Sequence, residues 1–326
     1  MRTRSMLSSQ WVFAAAVVVL MAGCAAESDG STQETSSSAS STRTVQSEFG
    51  EVELPTDPQR ALGMYTTDLD ILLTLGVPIA DEQPIRGDGW TTFPEFFPQE
   101  PLEDVKPFKN YPEYNYEKLL EVAPDLILNG LGYDKELVKR LPDIAPTYSV
   151  DAFKEGFDWR DTFESTAEAL GKTAEYEEWM TEYETKVEEV KARIEDAGID
   201  PVVAGVTYWE GKVVVDCYGV PCLVFEDLGL RTSPLGMADN GIGTELSSER
   251  YEELHGIDVA FMYSGQDDAS QKQHEDTLAT LSENDLWAEA AFIENDELHN
   301  YDMEMVYGSP SGQWAFLEVV EQALLD

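Results

Sequence analysis

The chain reads TAEYEEWMTEYETKVEEVKARIEDAG from Thr173 to Gly198. Apolar and aromatic residues recur at helical spacing in this stretch, which predicts one helix over Thr173–Ala197 that ends at the glycine. At 1.5 Å per residue this helix is about 37 Å long, which is more than a crossover within one small sheet needs. A second predicted helix, Trp159–Leu170, precedes it. A coiled-coil partner is the alternative role for the long helix, but its heptads are too few and too aromatic to favour one. We interpret the long helix as a rigid connection between two lobes.

Strand-like and helix-like segments alternate on both sides of this helical pair. The predicted helices cover Asp68–Leu75, Asp134–Leu141, Ser247–Leu254 and Gln313–Leu325, and the predicted strands cover Asp125–Gly130, Val202–Tyr208, Gly211–Cys217 and Asp258–Gly265. Alternation of this kind is typical of parallel sheets covered by helices. The sequence therefore predicts an α/β protein with two similar halves.

The composition is strongly acidic. Among 326 residues there are 64 Asp and Glu against 21 Lys and Arg, a formal net charge of −43. The phosphates of a nucleic acid would be repelled by this charge, so a nucleic-acid partner is excluded. The length suggests about two domains with substantial cores, and we expect a monomer.

The first segment has the pattern of an export signal. Arg2 and Arg4 precede an apolar run that ends at Gly23-Cys24. A short basic start, an apolar stretch and small residues before a cysteine resemble a bacterial lipoprotein signal, in which Cys24 would be lipidated. A plain secretory signal or an uncleaved anchor is the alternative. Removal of residues 1–23 takes away two arginines and no acidic residue, so the mature charge would be −45.

Residues 24–45 are rich in Ser and Thr and lack an apolar period, which predicts a flexible tether. The folded part would then lie outside the cytoplasm, anchored by lipid to the cell membrane. In such an oxidising compartment, Cys217 and Cys222, which bracket a turn with glycine and proline, predict a disulfide. A metal site is the alternative, but two thiolates with no nearby His make a poor zinc site.

Several blocks, in their order and spacing, resemble one family. They are Pro58–Gly63 followed by Asp68–Val77, Tyr116–Leu120 followed by Pro124–Ile127, Ala169–Lys172, and Leu286-Trp287 before the C-terminal helix. From about residue 46 to 326 the chain is similar to the siderophore-binding lipoproteins of bacterial ABC importers. These form the iron-complex branch of the extracytoplasmic solute-binding proteins.

The resemblance implies two Rossmann-like lobes joined by one long α-helix, the class III solute-binding architecture, with a ligand cleft between the lobes. The implied organisation is an N-lobe over residues 46–157, connecting helices over 158–198 and a C-lobe over 199–326. It also implies small hinge motion and two partners, an ABC permease and its ATPase. The acids expected to meet permease arginines are Asp134, Glu136, Asp267 and Asp268.

A siderophore already saturates its iron(III), so the protein needs aromatic surface and a few polar groups, with no intrinsic cofactor. Ligands of α/β proteins usually bind where strands give way to loops. At such positions the sequence offers Tyr65, Thr66, Arg86, Trp90, Tyr208, Trp209, Tyr218, Arg231, Tyr301 and Met303. Arg86 and Trp90 are the strongest candidates, because a polar loop has little structural use for them.

The scarcity of arginine favours one class of siderophore. Ferric catecholate and citrate complexes are strongly anionic, whereas ferric hydroxamates are near neutral or cationic. Because no cluster of arginines is visible, we expect a hydroxamate. Haem or cobalamin is the alternative cargo, and a haem could take an axial ligand from Tyr65, Tyr208 or His299.

Two other classes of function are disfavoured. Direct zinc or manganese binding needs several His and carboxylate ligands, but the three histidines, His255, His274 and His299, are not at ligand spacing. An enzyme is the alternative of a different class. The sequence contains no nucleophile elbow and no phosphate-binding glycine loop, and Gly308–Gly312 fits a turn and helix cap better. We therefore expect a binding protein.

Overall fold

In the computed structural model, the chain is described over residues 41–87, 90–152, 158–217, 219–237 and 243–325. The signal segment, the lipidation candidate Cys24 and the ligand candidate Tyr218 lie outside these ranges. The described residues belong to a single structural unit. None of their helices combines the length and the apolar character that crossing a bilayer requires.

The N-lobe is built from short strands and three α-helices. Its strands are β1 (Thr42–Ser47), β2 (Gly50–Pro55), β3 (Ala61–Gly63), β4 (Glu82–Ile85), β5 (Lys106–Lys109), β6 (Leu126–Asn129) and β7 (Thr147–Ser149). Its helices are α1 (Thr66–Thr74), α2 (Tyr116–Val122) and α3 (Lys135–Arg140), with 3-10 helices at Glu100–Leu102 and Leu141–Asp143. Strands β3, β6 and β7 form a parallel sheet in that order, and β4 pairs with β5 in parallel.

An antiparallel hairpin of β1 and β2 precedes this sheet. Val45 pairs with Val52 across the hairpin, and both pack against the main core. Ser47 Oγ donates a hydrogen bond to the carbonyl of Ser149 in β7 at 2.9 Å. The tether predicted to reach residue 45 therefore overlaps β1, because the alternation of buried and exposed residues begins before that boundary.

The connecting helices are α4 (Trp159–Leu170) and α5 (Thr173–Ala197), and both bounds agree with the prediction. Gly171 and Gly198 follow the two helices in left-handed conformation, with φ of 70° and 68°, which glycine adopts without steric cost. Trp159 and Phe163 of α4 are fully buried among the aromatic residues of α5. The same core cluster continues into both lobes, so the helical pair is packed against both.

The C-lobe contains the remaining elements. Its strands are β8 (Val202–Trp209), β9 (Lys212–Asp216), β10 (Arg231–Thr232), β11 (Thr244–Leu246), β12 (Val259–Ser264) and β13 (Leu298–Asp302). Its α-helices are α6 (Val220–Asp227), α7 (Asp268–Leu281), α8 (Asp285–Ala288), α9 (Ala291–Glu294) and α10 (Pro310–Leu325), with 3-10 helices at Ser248–Gly256 and Met303–Tyr307. The sheet order is β11-β9-β8-β12-β13, and β10 also pairs with β8.

The C-lobe sheet is mixed, which corrects the prediction of a purely parallel one. Strand β9 runs antiparallel to β8 because Glu210 and Gly211 form a two-residue turn, both with positive φ. A turn of this length can join only antiparallel strands, since a parallel crossover needs about a dozen residues. Strand β8 is parallel to β10 and to β12, and β12 is parallel to β13.

Two predicted helices differ in detail from the structure. The segment Ser247–Leu254 forms a 3-10 helix over Ser248–Gly256. Tyr251 and Leu254, three residues apart, are both buried, and a 3-10 helix places such residues on one face. The C-terminal helix begins at Pro310, three residues earlier than predicted, because proline suits a first helical turn.

Helix α10 joins elements of both lobes. Its backbone N–H at Ser311 donates a 2.7 Å hydrogen bond to Oδ2 of Asp70 in α1. Gln313 Nε2 donates to the hydroxyl of Tyr183 in α5 at 2.9 Å. Burial raises the pKa of Asp70 to about 6, although hydrogen bonds from Ser309 and Ser311 oppose this effect. The N-lobe, the long helix and the C-lobe are thus connected through one helix end.

Candidate ligand-binding site between the lobes

The segments that follow β3 and β4 in the N-lobe meet the 3-10 helix that follows β13 in the C-lobe. Thr66, in the first turn of α1, donates a hydrogen bond from its hydroxyl to Oε2 of Glu304. The rings of Tyr65 and Tyr307 meet edge to face, with centroids 5.5 Å apart. The carboxyl ends of the two sheets therefore face one another, which is where the sequence predicted the cleft.

Arg86 lies at the centre of this contact. Its Nη1 donates hydrogen bonds to the hydroxyls of Tyr65 at 2.7 Å and Tyr307 at 2.8 Å. Its guanidinium carbon lies 5.5 Å from the ring centre of Trp90 and 5.0 Å from that of Tyr111. Both distances are within cation–π range. The cation is thus held by phenol oxygens and aromatic faces together.

A buried carboxylate accompanies this cation. Glu304 is 3% exposed, and its Oε1 lies 3.9 Å from Nε of Arg86. Its backbone N–H donates to Oδ1 of Asp302, the residue that caps the 3-10 helix. Burial is the largest cause that raises the pKa values of Tyr65 and Tyr307, while the positive charge of Arg86 opposes it. Both phenols therefore stay protonated at neutral pH and can act as hydrogen-bond donors.

A second buried carboxylate fixes the N-lobe side of the site. Asp68 accepts hydrogen bonds from the backbone N–H groups of Tyr65, at 3.0 Å, and of Gly130, at 2.9 Å. A Cβ at Gly130 would lie 2.6 Å from Oδ1 of Asp68, so this position requires glycine. Burial raises the pKa of Asp68 to about 7, against the effect of these hydrogen bonds. Asp68 thus connects the ends of β3 and β6 beneath the site.

The C-lobe side is an open cavity of about 220 Å³. Besides Trp90 of the N-lobe, its lining includes the C-lobe residues Tyr208, Trp209, Ser264, Thr277 and Met303. Trp209 is 68% exposed. Burial lowers the pKa of His274, another lining residue, so its imidazole is neutral at physiological pH. This wall offers apolar contact area and hydrogen-bonding groups.

A larger cavity of about 700 Å³ lies elsewhere, at the amino ends of β4 and β5. It is lined by residues such as Val77, Ile79, Asp104 and Lys106. None of the residues predicted to bind ligand lines it. We place the candidate site in the smaller, inter-lobe cavity, which is lined by Trp90, Tyr208 and Trp209 and adjoins Arg86 through the ring of Trp90.

The structure brings most of the predicted ligand residues together. Tyr65, Thr66, Arg86 and Trp90 lie on the N-lobe side, and Tyr208, Trp209 and Met303 lie on the C-lobe side. Tyr301 instead is buried in β13, where its ring packs 4.8 Å from that of Phe316. Its side chain points to the core face of the sheet, so it does not line the cleft.

Arg231 also lies away from this site. It belongs to β10 and pairs with Val202, at the amino end of β8, whereas the cleft lies at the carboxyl end. Its Nε forms a 2.8 Å ion pair with Asp200. In the sequence, Arg231 follows a predicted helix. That position alone does not show whether the residue lies at the amino or the carboxyl end of the sheet.

The predicted permease contacts occupy matching places in the two lobes. Asp134 caps the amino end of α3, and Asp267 caps that of α7. Glu136 and Asp268 follow in the first helical turns and are exposed. Their contact with a permease remains a prediction.

Three residues of the site were not selected from the sequence. Glu304 and Tyr307 follow the last strand, β13, but acidic residues are too common in this chain to single one out. Tyr111 follows β5, a short polar strand that hydrophobic patterning does not reveal. The tyrosine-rich run from Tyr111 to Tyr116 was the available signal.

Two further predictions concern cysteine and metal chemistry. Cys217 and Cys222 form a disulfide, as predicted, at the amino end of α6. Within the described ranges, no group of three His, Cys, Asp or Glu side chains is arranged to hold a metal ion. His299, one of the residues considered as a haem ligand, pairs through Nε2 with Glu297 at 3.0 Å.

Comparison with known proteins identifies the family. The periplasmic binding protein family matches residues 64–304. The chain belongs to this family. It is 24% identical over 318 residues to a probable siderophore-binding lipoprotein, YfiY, of Bacillus subtilis, covering 94% of this chain and 93% of that protein. It is 23% identical to the iron(3+)-hydroxamate-binding protein FhuD of the same organism, covering 96% of each chain.

Solved structures share the fold. Staphylococcus aureus SirA, crystallised with staphyloferrin B, superposes with a TM-score of 0.68 at 22% identity, covering 87% of this chain and 98% of that one. The FhuD protein from S. pseudintermedius gives a TM-score of 0.65 at 18% identity, covering 87% and 98%. These matches confirm the predicted architecture of two α/β lobes and a connecting helix. Family membership also confirms the prediction of a binding protein rather than an enzyme.

Proposed function

We propose that this protein binds a ferric siderophore outside the cytoplasm and delivers it to a membrane ABC importer for iron uptake. The observation that carries the proposal is the aromatic cleft around Arg86, in a chain of the periplasmic binding protein family. Relatives named for siderophore and iron(3+)-hydroxamate binding support the same cargo.

The chemistry of the cleft suits a ligand whose iron is already coordinated. The hydroxyls of Tyr65 and Tyr307 and the guanidinium of Arg86 can contact the ligand oxygens of such a complex. Trp90 and Trp209 supply apolar surface for the organic backbone of a siderophore. The protein itself need not supply ligands to iron(III).

Charge favours a hydroxamate siderophore over a catecholate or a citrate complex. The cation of Arg86 lies beside the carboxylate of Glu304, and the chain as a whole is strongly acidic. A multiply anionic complex would be repelled by this acidic surface. Salt screens the distant charges, so charged groups that contact the ligand can outweigh them.

The proposed location and partners follow from the family and the first segment of the chain. We propose cleavage before Cys24, lipidation of that cysteine and attachment to the cell membrane. A permease would bind the acids at the ends of two helices, Asp134 and Glu136 in the N-lobe and Asp267 and Asp268 in the C-lobe. An ATPase would drive transfer of the released cargo.

Titration of the purified protein with a panel of ferric siderophores, followed by tryptophan fluorescence, tests the proposal. We expect saturable quenching by ferric hydroxamates, since Trp90 and Trp209 line the cleft. Native mass spectrometry should detect one ferric complex per chain. Absence of binding to every ferric siderophore, or a Soret band on addition of hemin, would overturn the assignment of cargo.

A further inference from the structure

We propose that His274 makes the cargo preference of the inter-lobe cavity depend on pH, because its imidazole places a positive charge on the cavity wall in mildly acidic surroundings. The inference rests on the proposed function and assigns a pH-dependent selection among ferric complexes to one side chain. His274 is one of three histidines in the chain, and it is the one that lines this cavity.

The first argument is the position of His274 on α7. Ser270, Gln273, His274 and Thr277 all line the cavity, and their spacing of three and four residues places them on one face of the helix. Leu281 lies on the same face one turn further along and is buried in the C-lobe core. The face is therefore apolar where it meets the core and polar where it borders the space that a ligand would occupy.

The second argument is the charge of the surrounding wall. The described lining residues contain neither lysine nor arginine, so among them His274 alone can become a cation. The other titratable groups of the described lining are the phenols of Tyr208 in β8 and Tyr263 in β12, and burial raises the pKa of Tyr263. Arg86 does not line this cavity, and its guanidinium carbon lies 5.5 Å from the ring centre of Trp90. Protonation of His274 would therefore change this wall from neutral to positive.

The third argument is the protonation state of the imidazole. Burial lowers the pKa of His274 from its ordinary value of 6.5, while the carboxylate of Glu275 opposes this effect. Two other charged groups of α7, Lys272 and Asp276, form an ion pair with each other at 2.8 Å. His274 is therefore neutral at neutral pH and gains a proton only in acid. A bound anion favours the protonated form, and by linkage protonation strengthens binding of that anion to the same extent.

The two forms of His274 suit different ferric complexes. The neutral imidazole offers one N–H donor and one acceptor nitrogen, which suits a hydroxamate complex of low charge. The imidazolium attracts an anionic complex such as ferric citrate, and because the side chain is half-buried, solvent screens this attraction only in part. In acidic surroundings the cavity would therefore accept anionic ferric complexes that it disfavours at neutral pH.

The experiment compares two ligands in four proteins. The ligands are a neutral ferric trihydroxamate and ferric citrate, and the proteins are the wild type, His274→Gln, His274→Arg and His255→Gln. Glutamine keeps hydrogen-bonding groups and helix propensity without a charge, whereas arginine is charged throughout. His255→Gln is the matched control, because that imidazole bonds to the carbonyl of Leu286, outside the cavity lining.

Tryptophan fluorescence gives each dissociation constant at about pH 7.5 and about pH 5.0, on either side of the ordinary histidine pKa. Variants are compared with the wild type at the same pH, which cancels any titration of the ligand. The buried Asp68 and Asp70 also titrate in this range, but both are present in all four proteins, so the comparison removes their contribution.

We expect the affinity of the wild type for ferric citrate, relative to that of His274→Gln, to rise by about three- to tenfold on acidification. The same ratio for the trihydroxamate should change by less than about twofold. His274→Arg should bind ferric citrate more tightly than the wild type at neutral pH, and His255→Gln should follow the wild type at both pH values.

Three results would overturn the inference. They are a ferric citrate ratio that does not change with pH, an equal change for both ligands, which a merely structural role would give, and no binding of ferric citrate in acid by a protein that binds the trihydroxamate. Failure of the wild type to bind any ferric siderophore at either pH would instead overturn the proposed function, and this inference with it.

Proton NMR gives a second measurement, made on the wild type. The three histidines give three imidazole C–H signals, and that of His274 is the one missing from the spectrum of His274→Gln. Gallium(III) citrate, which is diamagnetic, replaces the ferric complex. The titration midpoint of His274 should rise by about 0.5 to 1 pH unit when this complex is bound, while that of His255 stays constant. An unchanged midpoint of His274 with the complex bound would contradict its role.

Discussion

The two walls of the cleft differ in how their side chains are held. On the N-lobe wall, Arg86 is fixed by two tyrosine hydroxyls, and the backbone beneath it is tied to the buried Asp68. On the C-lobe wall, Trp209 is largely exposed, and the other described residues that line the cavity are uncharged. The N-lobe wall is therefore organised before a ligand arrives, whereas the C-lobe wall can adapt to ligands of different shape.

The largest expected effect comes from removing the centre of the organised wall. Arg86→Ala should weaken binding of a ferric hydroxamate by about thirtyfold or more, because a central, desolvated arginine has the properties of a binding hot spot. Fluorescence titration measures the change. Arg231→Ala, at the other end of the C-lobe sheet, is the control and should alter affinity by less than about twofold. Equal effects of the two substitutions would contradict our placement of the cleft.

The backbone support of the organised wall can be tested separately. Gly130→Ala places a methyl group 2.6 Å from Asp68 and should lower the free energy of unfolding by about 1–3 kcal/mol. Urea denaturation gives this value. Gly256→Ala has open space around the new methyl and should stay within about 0.5 kcal/mol of the wild type. If both variants were equally stable, the support from Asp68 would be dispensable.

The adaptable wall predicts a smaller loss of affinity with no loss of stability. Trp209→Ala should weaken ligand binding by about five- to tenfold, while the melting temperature stays nearly constant because the side chain is 68% exposed. Phe49→Ala removes another half-exposed aromatic ring, on the β1–β2 turn, and should leave affinity unchanged. A marked drop in the melting temperature of Trp209→Ala would show that this residue is structural.

The smallest expected effect concerns the connection between the lobes. The pKa of Asp70 is raised by burial from 3.8 to about 6, so the folded state holds its proton more strongly than the unfolded chain. Stability from this group is therefore lost as pH rises from about 4 to about 6. Asp70→Asn should abolish this component, so the melting temperature of the wild type should fall relative to that of the variant over this range. Parallel profiles would contradict the assignment.

The elements with strong local signals were predictable from the sequence. Helices α4 and α5 were located because Gly171 and Gly198 end them and their aromatic residues recur at helical spacing. The direction of β9 does not follow from its hydrophobic pattern, because the signal for it is the short Glu210-Gly211 turn that joins it to β8. Local signals fix where an element begins and ends, but the direction of its pairing depends on the connection.

The site was predictable only where unusual residue types occur. Arg86 and Trp90 were predicted because a polar loop has little structural use for a cation and an indole. Glu304 could not be selected, because its distinguishing property is burial beside a cation, which no local pattern reveals. Arg231 was misplaced for a related reason, since the two-residue strand β10 pairs with the start of β8 rather than its end.

The hydrogen bond from α10 to Asp70 has a consequence for the kinetics of ligand capture. The last helix of the C-lobe is hydrogen-bonded to an N-lobe helix and to α5, so a large rotation of the lobes would break these buried contacts. Association should then proceed without a slow closing step, and the observed rate should rise linearly with ligand concentration in stopped-flow experiments. Residence time would accordingly be set by contacts within the cleft rather than by reopening of the lobes.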